Sequence, residues 1–178
     1  MIFDDQIFHI TDIFAYIIHT VDLDATDLRL LDLLQQDASR SNQELAAAAH
    51  TSPATALRRV RRLLDAGVIE RQVALLSADR IGAGLSAIVE VSLDRQGAEH
   101  LDAFERRVAA DDEVQQLWRV APGPDFVLVV HCADMGGYHA LAQRLFTQDA
   151  NVRNVKAYFA VKRAKFDPRL VLRRALPG

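Results

Sequence analysis

With one cysteine the chain cannot form an internal disulfide, so Cys132 belongs to no covalent framework, and this usage fits a reducing compartment. No apolar run reaches the roughly 18 residues expected of a membrane-spanning helix. The first twenty residues hold no lysine or arginine but do hold Asp4, Asp5 and Asp12, the reverse of the positive start of a secretory signal. A cytoplasmic protein without a membrane partner is therefore expected. An excess of positive charge is also missing: the net charge is −3. The molecule is no basic coat for nucleic acid, and any affinity for DNA must come from a local patch and weaken with salt.

The usual signatures of catalysis are missing too. There is no glycine-rich phosphate loop and no dinucleotide fingerprint. His9, His19, His50, His100, His131 and His139 show no paired spacing of the H-x3-H kind that holds a metal. His131 and Cys132 adjoin on an expected strand, which turns their side chains to opposite faces and disfavours a nucleophile–base pair. No catalytic residue, cofactor or metal is assigned.

The informative segment is 41–67, SNQELAAAAHTSPATALRRVRRLLDAG. Ser41 and Glu44 form an S-x-x-E capping box, and Leu45 with the alanines up to Ala49 continues a helix. A second helix opens with Ser52 as N-cap and Pro53 at its first position, where a missing N–H costs nothing. Leu57, Val60 and Leu64 recur at helical spacing and are expected to be its buried face. Gly67 stands where a glycine closes a helix. Arg58, Arg59, Arg61 and Arg62 fall outside that stripe. Crowded guanidiniums repel unless anions are near, and phosphate oxygens would accept bidentate contacts. Two helices with a tight turn and a basic second member form a helix-turn-helix pattern, with double-stranded DNA as the expected partner. A solvated charged face is the plainer alternative. An earlier helix within 21–36, with Asp24 as N-cap and Leu28, Leu31 and Leu34 on one face, completes a three-helix unit.

Beyond Gly67 the pattern changes. Residues 68–76 are a β-prone connection, followed by a loop with Gly82 and Gly84. Strands are expected at 85–93, 114–121, 125–132 and 155–163. Helices are expected at 97–110, with Leu101, Phe104 and Val108 on one side, and after Asp134, with Tyr138, Leu141 and Leu145. The order β-α-β-β-α-β is that of a ferredoxin-like fold, so the fold class is α+β. Helices on one face leave the other face of the sheet to be covered, and a second copy is expected to cover it. The expected organisation is an extension over 1–20, a helix-turn-helix domain over 21–68, a hinge over 69–84, the αβ domain over 85–166 and a tail over 167–178. In the extension, Phe3, Ile7, Ile10, Phe14 and Ile17 form a helical apolar stripe, read either as an interaction surface or as a mobile extension or upstream sequence outside the functional core.

Residues 23–163, about four-fifths of the chain, resemble the leucine-responsive regulatory protein/AsnC family of transcription regulators. The resemblance runs through LDATDLRLLDLLQQDASRSNQELA, SPATALRRVRRLLDAGVIE and ALLSADRIG, and later through DF, DM-x-x-Y and V-x-x-V-x-x-Y. It implies a winged-like DNA-binding domain, a hinge, an effector-sensing αβ domain, and dimers that assemble further to tetramers or octamers. It also implies that Ser52 to Arg62 lies in the major groove, with Ser52, Pro53, Thr55 and Arg59 near phosphates or base edges. Arg58 and Arg62 would position the helix, and Asn42 and Gln43 would touch phosphates. An amino acid or related metabolite would bind between dimers near Arg119, Gly123, Asp125, Met135 and Tyr158.

Several positions depart from the family pattern. His50 replaces the usual glycine of the turn, which histidine survives because it tolerates positive φ better than most residues. Thr51 replaces an apolar residue. Pro122-Gly123-Pro124-Asp125 replaces a Gly-Asp-aromatic-Asp loop, and the prolines remove two N–H donors. Val155 and Ala157 stand for threonines, and Arg119 brings a charge to a usually apolar site. Asp125 reads equally as a ligand contact and as a turn residue that starts a strand. The similar sirohaem decarboxylase subunits offer an enzymatic alternative, which the arginine-rich helix opposes. A metabolite-binding assembly protein that no longer touches DNA is a third reading.

Overall fold

The computed structural model describes residues 21–81 and 84–172. The apolar stripe expected over 3–17 lies outside the described residues. The described residues form two compact units: one contains residues 21–74 together with 167–172, the other lies within residues 75–166. The tail is thus grouped with the helical unit.

The first unit contains helices α1 (Ala25–Gln36), α2 (Asn42–Ala48) and α3 (Pro53–Asp65). Local chemistry starts each one. The Asp24 carboxylate accepts from the amides of Thr26 and Asp27, while the Asp27 carboxylate accepts from the Asp24 amide. Ser41 and Glu44 form the expected reciprocal box. Ser52 accepts from the Thr55 amide, with Pro53 in the first turn. The α2–α3 turn passes through His50 at φ 55°, and α3 ends before Gly67 at φ 69°.

The buried faces differ from expectation. In α3, Leu57 is 50 % and Leu64 39 % exposed, whereas Ala56 and Leu63 are fully buried. The helix is turned by one residue, about 100°, from the face its large apolar residues suggest. The core it joins is built on Leu30, Leu45, Ala46, Ala49 and Ala56. Small alanines let helices approach closely, so Ala56 shares the interior with Leu63 while Leu57 and Leu64 are left outside. In α1 the buried positions are Asp27, Leu30 and Leu31; of the expected Leu28, Leu31 and Leu34, Leu31 is buried, Leu34 packs partly buried against the core and Leu28 is half-buried.

Residues 68–76 carry no strand, since a strand requires a paired edge and none meets this segment. A short helix, α4 (Ala78–Ile81), follows. The second unit then runs β1 (Leu85–Leu93), α5 (Ala98–Ala109), β2 (Val114–Arg119), β3 (Phe126–Cys132), α6 (Met135–Ala142), a π-helical turn Gln143–Thr147, and β4 (Val152–Phe159). The sheet order is β2-β3-β1-β4, with every pair antiparallel, as a ferredoxin-like split arrangement requires.

Alternation decides the faces. Ala87, Val89, Val91 and Leu93 of β1 and Phe126, Leu128, Val130 and Cys132 of β3 pack with Phe104, Val108, Leu141 and Leu145 of the helical layer. The Phe104 and Phe126 rings lie 4.8 Å apart. The opposite face leaves Ile88, Trp118 and Tyr158 about half exposed. Gly84 enters β1 at φ +56°, where a Cβ would lie 1.8 Å from the Cys132 carbonyl oxygen. β4 begins at Val152 and stops at Phe159, earlier than the expected 155–163. Val152 pairs with Leu93 and Phe159 with Ala87, near the start of β1, so no strand remains to pair with residues 161–163.

Candidate nucleic-acid interface

Turning α3 by one residue reassigns its four arginines. Arg59 and Arg62 flank the core and meet α1. Arg59 Nη1 donates to Asp24 Oδ2 at 2.6 Å and to Asp27 Oδ1 at 2.9 Å, and Arg62 Nη2 donates to Asp27 Oδ2 at 2.5 Å. The anions that relieve half of the arginine crowding are thus the protein's own carboxylates. Asp27 is 1 % exposed and both its oxygens are occupied. The Asp27 amide, followed by the Arg59 guanidinium, lowers the Asp24 pKa to about 2. The Asp24 and Asp27 carboxylates raise that of Arg59.

Arg58 and Arg61 project to solvent, and neither makes a hydrogen bond or ion pair among the described residues. Arg61 is one of the four arginines outside the expected apolar stripe, and the resemblance implied no contact for it. On the observed orientation it lies beside Arg58 on the outward surface, between Ala54 and Asp65.

The amino-terminal end of α3 is tightly held. Ser52 Oγ donates to Thr55 Oγ1 at 2.9 Å while accepting the Thr55 amide. Pro53 is exposed, and its carbonyl accepts from Asn42 Nδ2 at 2.8 Å. Asn42 therefore ties the start of α2 to the start of α3, whereas Gln43 is exposed and unengaged among the described residues. This end sets Ser52 and Thr55 beside the first helical N–H groups, a surface suited to phosphate.

The residues expected to hold an effector are not brought together within one chain. Arg119 is engaged elsewhere: its Nη2 pairs with Asp102 at 2.6 Å and Glu105 at 2.7 Å, and its guanidinium lies 5.7 Å from the Phe126 ring centre. It ties β2 to α5, and these carboxylates raise its pKa, Asp102 foremost. Asp125 Oδ2 accepts the Leu93 amide at 2.7 Å, and the Asp125 amide donates to Val91 O. Gly123, at φ 129°, sits in the same turn. Met135 begins α6 past the other end of β3, whose seven residues at about 3.3 Å each separate it from Asp125. Tyr158 is half exposed on the open sheet face, its hydroxyl 3.4 Å from Glu90 Oε2.

As expected, His131 and Cys132 part to opposite faces. The His131 ring meets Ser86 Oγ at 2.9 Å on the open face, while Cys132 is buried in the core. Burial pushes the Cys132 thiol pKa up, away from reactivity. No helix among the described residues is long and apolar enough to cross a membrane.

Comparison with known proteins gives two domain matches. Residues 23–70 match the winged helix-turn-helix DNA-binding domain, and residues 86–170 the Lrp/AsnC ligand-binding domain. An uncharacterised HTH-type transcriptional regulator of Haemophilus influenzae is 36 % identical over 150 residues, covering 84 % of this chain and 89 % of that protein. The DNA-binding transcriptional activator DecR of Escherichia coli is 35 % identical over 144 residues, covering 81 % and 95 %. In structure the chain is similar to a transcriptional regulator from Neisseria meningitidis solved as its L-Met complex, with a TM-score of 0.76, 28 % identity, and coverage of 84 % of this chain and 97 % of that one.

Proposed function

Since the chain belongs to the Lrp/AsnC family and is a DNA-binding transcriptional regulator rather than an enzyme, we propose that α3 is its reader of the major groove and that the αβ unit tunes it in response to an amino acid. The observation that carries this reading is the outward face of α3, where Arg58 and Arg61 stand unpaired beside a capped, polar amino-terminal end. Ser52, Pro53, Thr55, Gln43 and Arg58 would make its phosphate and base-edge contacts, with Asn42 and Arg62 holding the helices that present them.

A homodimer is part of the proposal. Ile88, Trp118 and Tyr158 form an apolar surface on a sheet whose other side is already covered, and a second copy would bury it. Two α3 helices then meet successive major grooves, so the operator is a rough palindrome with half-sites about one helical turn apart. Tetramers or octamers would bend or wrap the DNA. The L-Met bound by the Neisseria regulator supports an amino-acid effector between dimers. Asp125, Gly123, Met135 and Tyr158 would reach it there only through assembly, because one chain holds them apart. Such a protein works in the cytoplasm.

The direct test is a mobility shift with DNA upstream of the protein's own gene. Specific retardation that weakens steeply with salt is expected, and absence of any preference over random duplex overturns the reading. A panel of amino acids added during thermal melting tests the effector, because a ligand that prefers the folded state raises the midpoint. Failure of the whole panel would remove the effector from the proposal.

A further inference from the structure

Resting on the DNA-binding reading above, we infer that Asp27 is a positioning residue that withholds Arg59 and Arg62 from the DNA backbone, so that Arg58 and Arg61 are the α3 cations that neutralise phosphate.

The four arginines of α3 occur within five consecutive residues, yet their surroundings divide them two and two. Asp27 is a buried carboxylate with three donors on two oxygens: Arg59, Arg62 and the Asp24 amide. For Arg59 or Arg62 to reach a phosphate by leaving it, a carboxylate 1 % exposed would stay buried with one of its two guanidinium donors gone and one oxygen stripped of its charged partner, which is costly. Asp24 is different, since its side chain is 54 % exposed and water can replace Arg59 there. The exchangeable bond is therefore Asp24–Arg59 and the fixed ones are those to Asp27. Together Asp24, Asp27, Arg59 and Arg62 sum to zero charge, which leaves on α3 the positive charges of Arg58 and Arg61 and the negative charge of Asp65 at its carboxy-terminal end. Those two share the outward surface and have no partner among the described residues.

Withholding two cations has a consequence for selectivity. Charges that meet the backbone bind every sequence equally and carry no base information. Asp27 keeps that share small and holds α3 at a fixed angle to α1, so that sequence preference is not swamped by indiscriminate attraction.

The test measures binding to a random-sequence duplex and to the upstream operator by fluorescence anisotropy, from low to moderate salt. The proteins are the full chain and its Arg58→Gln, Arg61→Gln, Arg62→Gln and Asp27→Asn variants, each first checked by circular dichroism. On random duplex, Arg58→Gln and Arg61→Gln should each flatten the slope of log Kd against log salt by about 0.9 per engaged protomer, whereas Arg62→Gln should leave it unchanged. Asp27→Asn should steepen the slope and reduce the preference for operator over random DNA. A flattened slope in Arg62→Gln, or an unaltered slope in folded Asp27→Asn, overturns the inference. Should Asp27→Asn fail to fold, the comparison of the three arginine variants decides. Because the slope is read on random duplex, the assignment stands or falls separately from operator preference, which tests the regulator reading.

Discussion

The Asp125 carboxylate accepts the Leu93 amide at 2.7 Å, joining the turn before β3 to the last residue of β1. Leu93 closes the strand that pairs on both sides, so this bond secures the middle of the sheet at its end. Asp125→Ala removes a charged acceptor and should destabilise the protein by about 1.5–3 kcal/mol in urea unfolding. An unchanged midpoint would show that the carboxylate is free for a ligand.

Acid should expose the Asp24 cap. Its carboxyl titrates at about 2 in the folded protein, against an ordinary 3.8, because the Asp27 amide and Arg59 favour the charged form. A depressed folded pKa stabilises the fold above the unfolded value, and that contribution is lost as pH falls from about 4 through 2. Thermal melting of Asp24→Asn across that range should show a shallower loss than the parent chain, since asparagine still caps but does not titrate. Parallel acid limbs would exclude Asp24 as the source.

His50 holds φ 55° in the α2–α3 turn, a conformation that disfavours side chains with a Cβ. Relief of that strain outweighs the added freedom of glycine in the unfolded chain. His50→Gly should therefore raise stability by up to about 1 kcal/mol without changing DNA affinity. Guanidinium unfolding checks the first part and anisotropy the second. Lost affinity would reveal an imidazole contact to DNA.

The tail is fastened to α1 by a reciprocal pair: Gln35 Nε2 donates to Leu170 O at 3.2 Å, and the Leu170 amide donates to Gln35 Oε1 at 2.6 Å. Tail and helix line a groove of about 490 Å³ that includes Leu28, Arg29 and Asp32. Gln35→Ala deletes both bonds, about 1–2 kcal/mol of local stability, so trypsin should cut after Arg169 roughly tenfold faster. An unaltered digestion rate would mean that the groove alone keeps the tail in place.

Much of this architecture was legible because its signals are local. Asp24, Ser41, Ser52 and Asp134 cap helices through bonds to residues two or three positions ahead. The alternation of β1 and β3 reads directly as one buried face. What escaped depends on distance along the chain. Arg62 meets Asp27 across 35 residues, and Arg119 meets Asp102 across 17, and no periodicity encodes either. The orientation of α3 was misread because Leu57 and Leu64 outweigh Ala56 on any scale of apolarity, although alanine is what a close helix crossing admits. One signal for Asp27 was present: an acidic residue three and four positions before Leu30 and Leu31 lies on an apolar stripe, where a carboxylate needs a cation.

Long, flexible side chains are ordinarily a liability in recognition, because each must be stilled when its partner arrives. Arg59 and Arg62 are already stilled by Asp27. The rotational freedom they give up is lost once, as the chain folds, and no encounter with a duplex has to take it from them again.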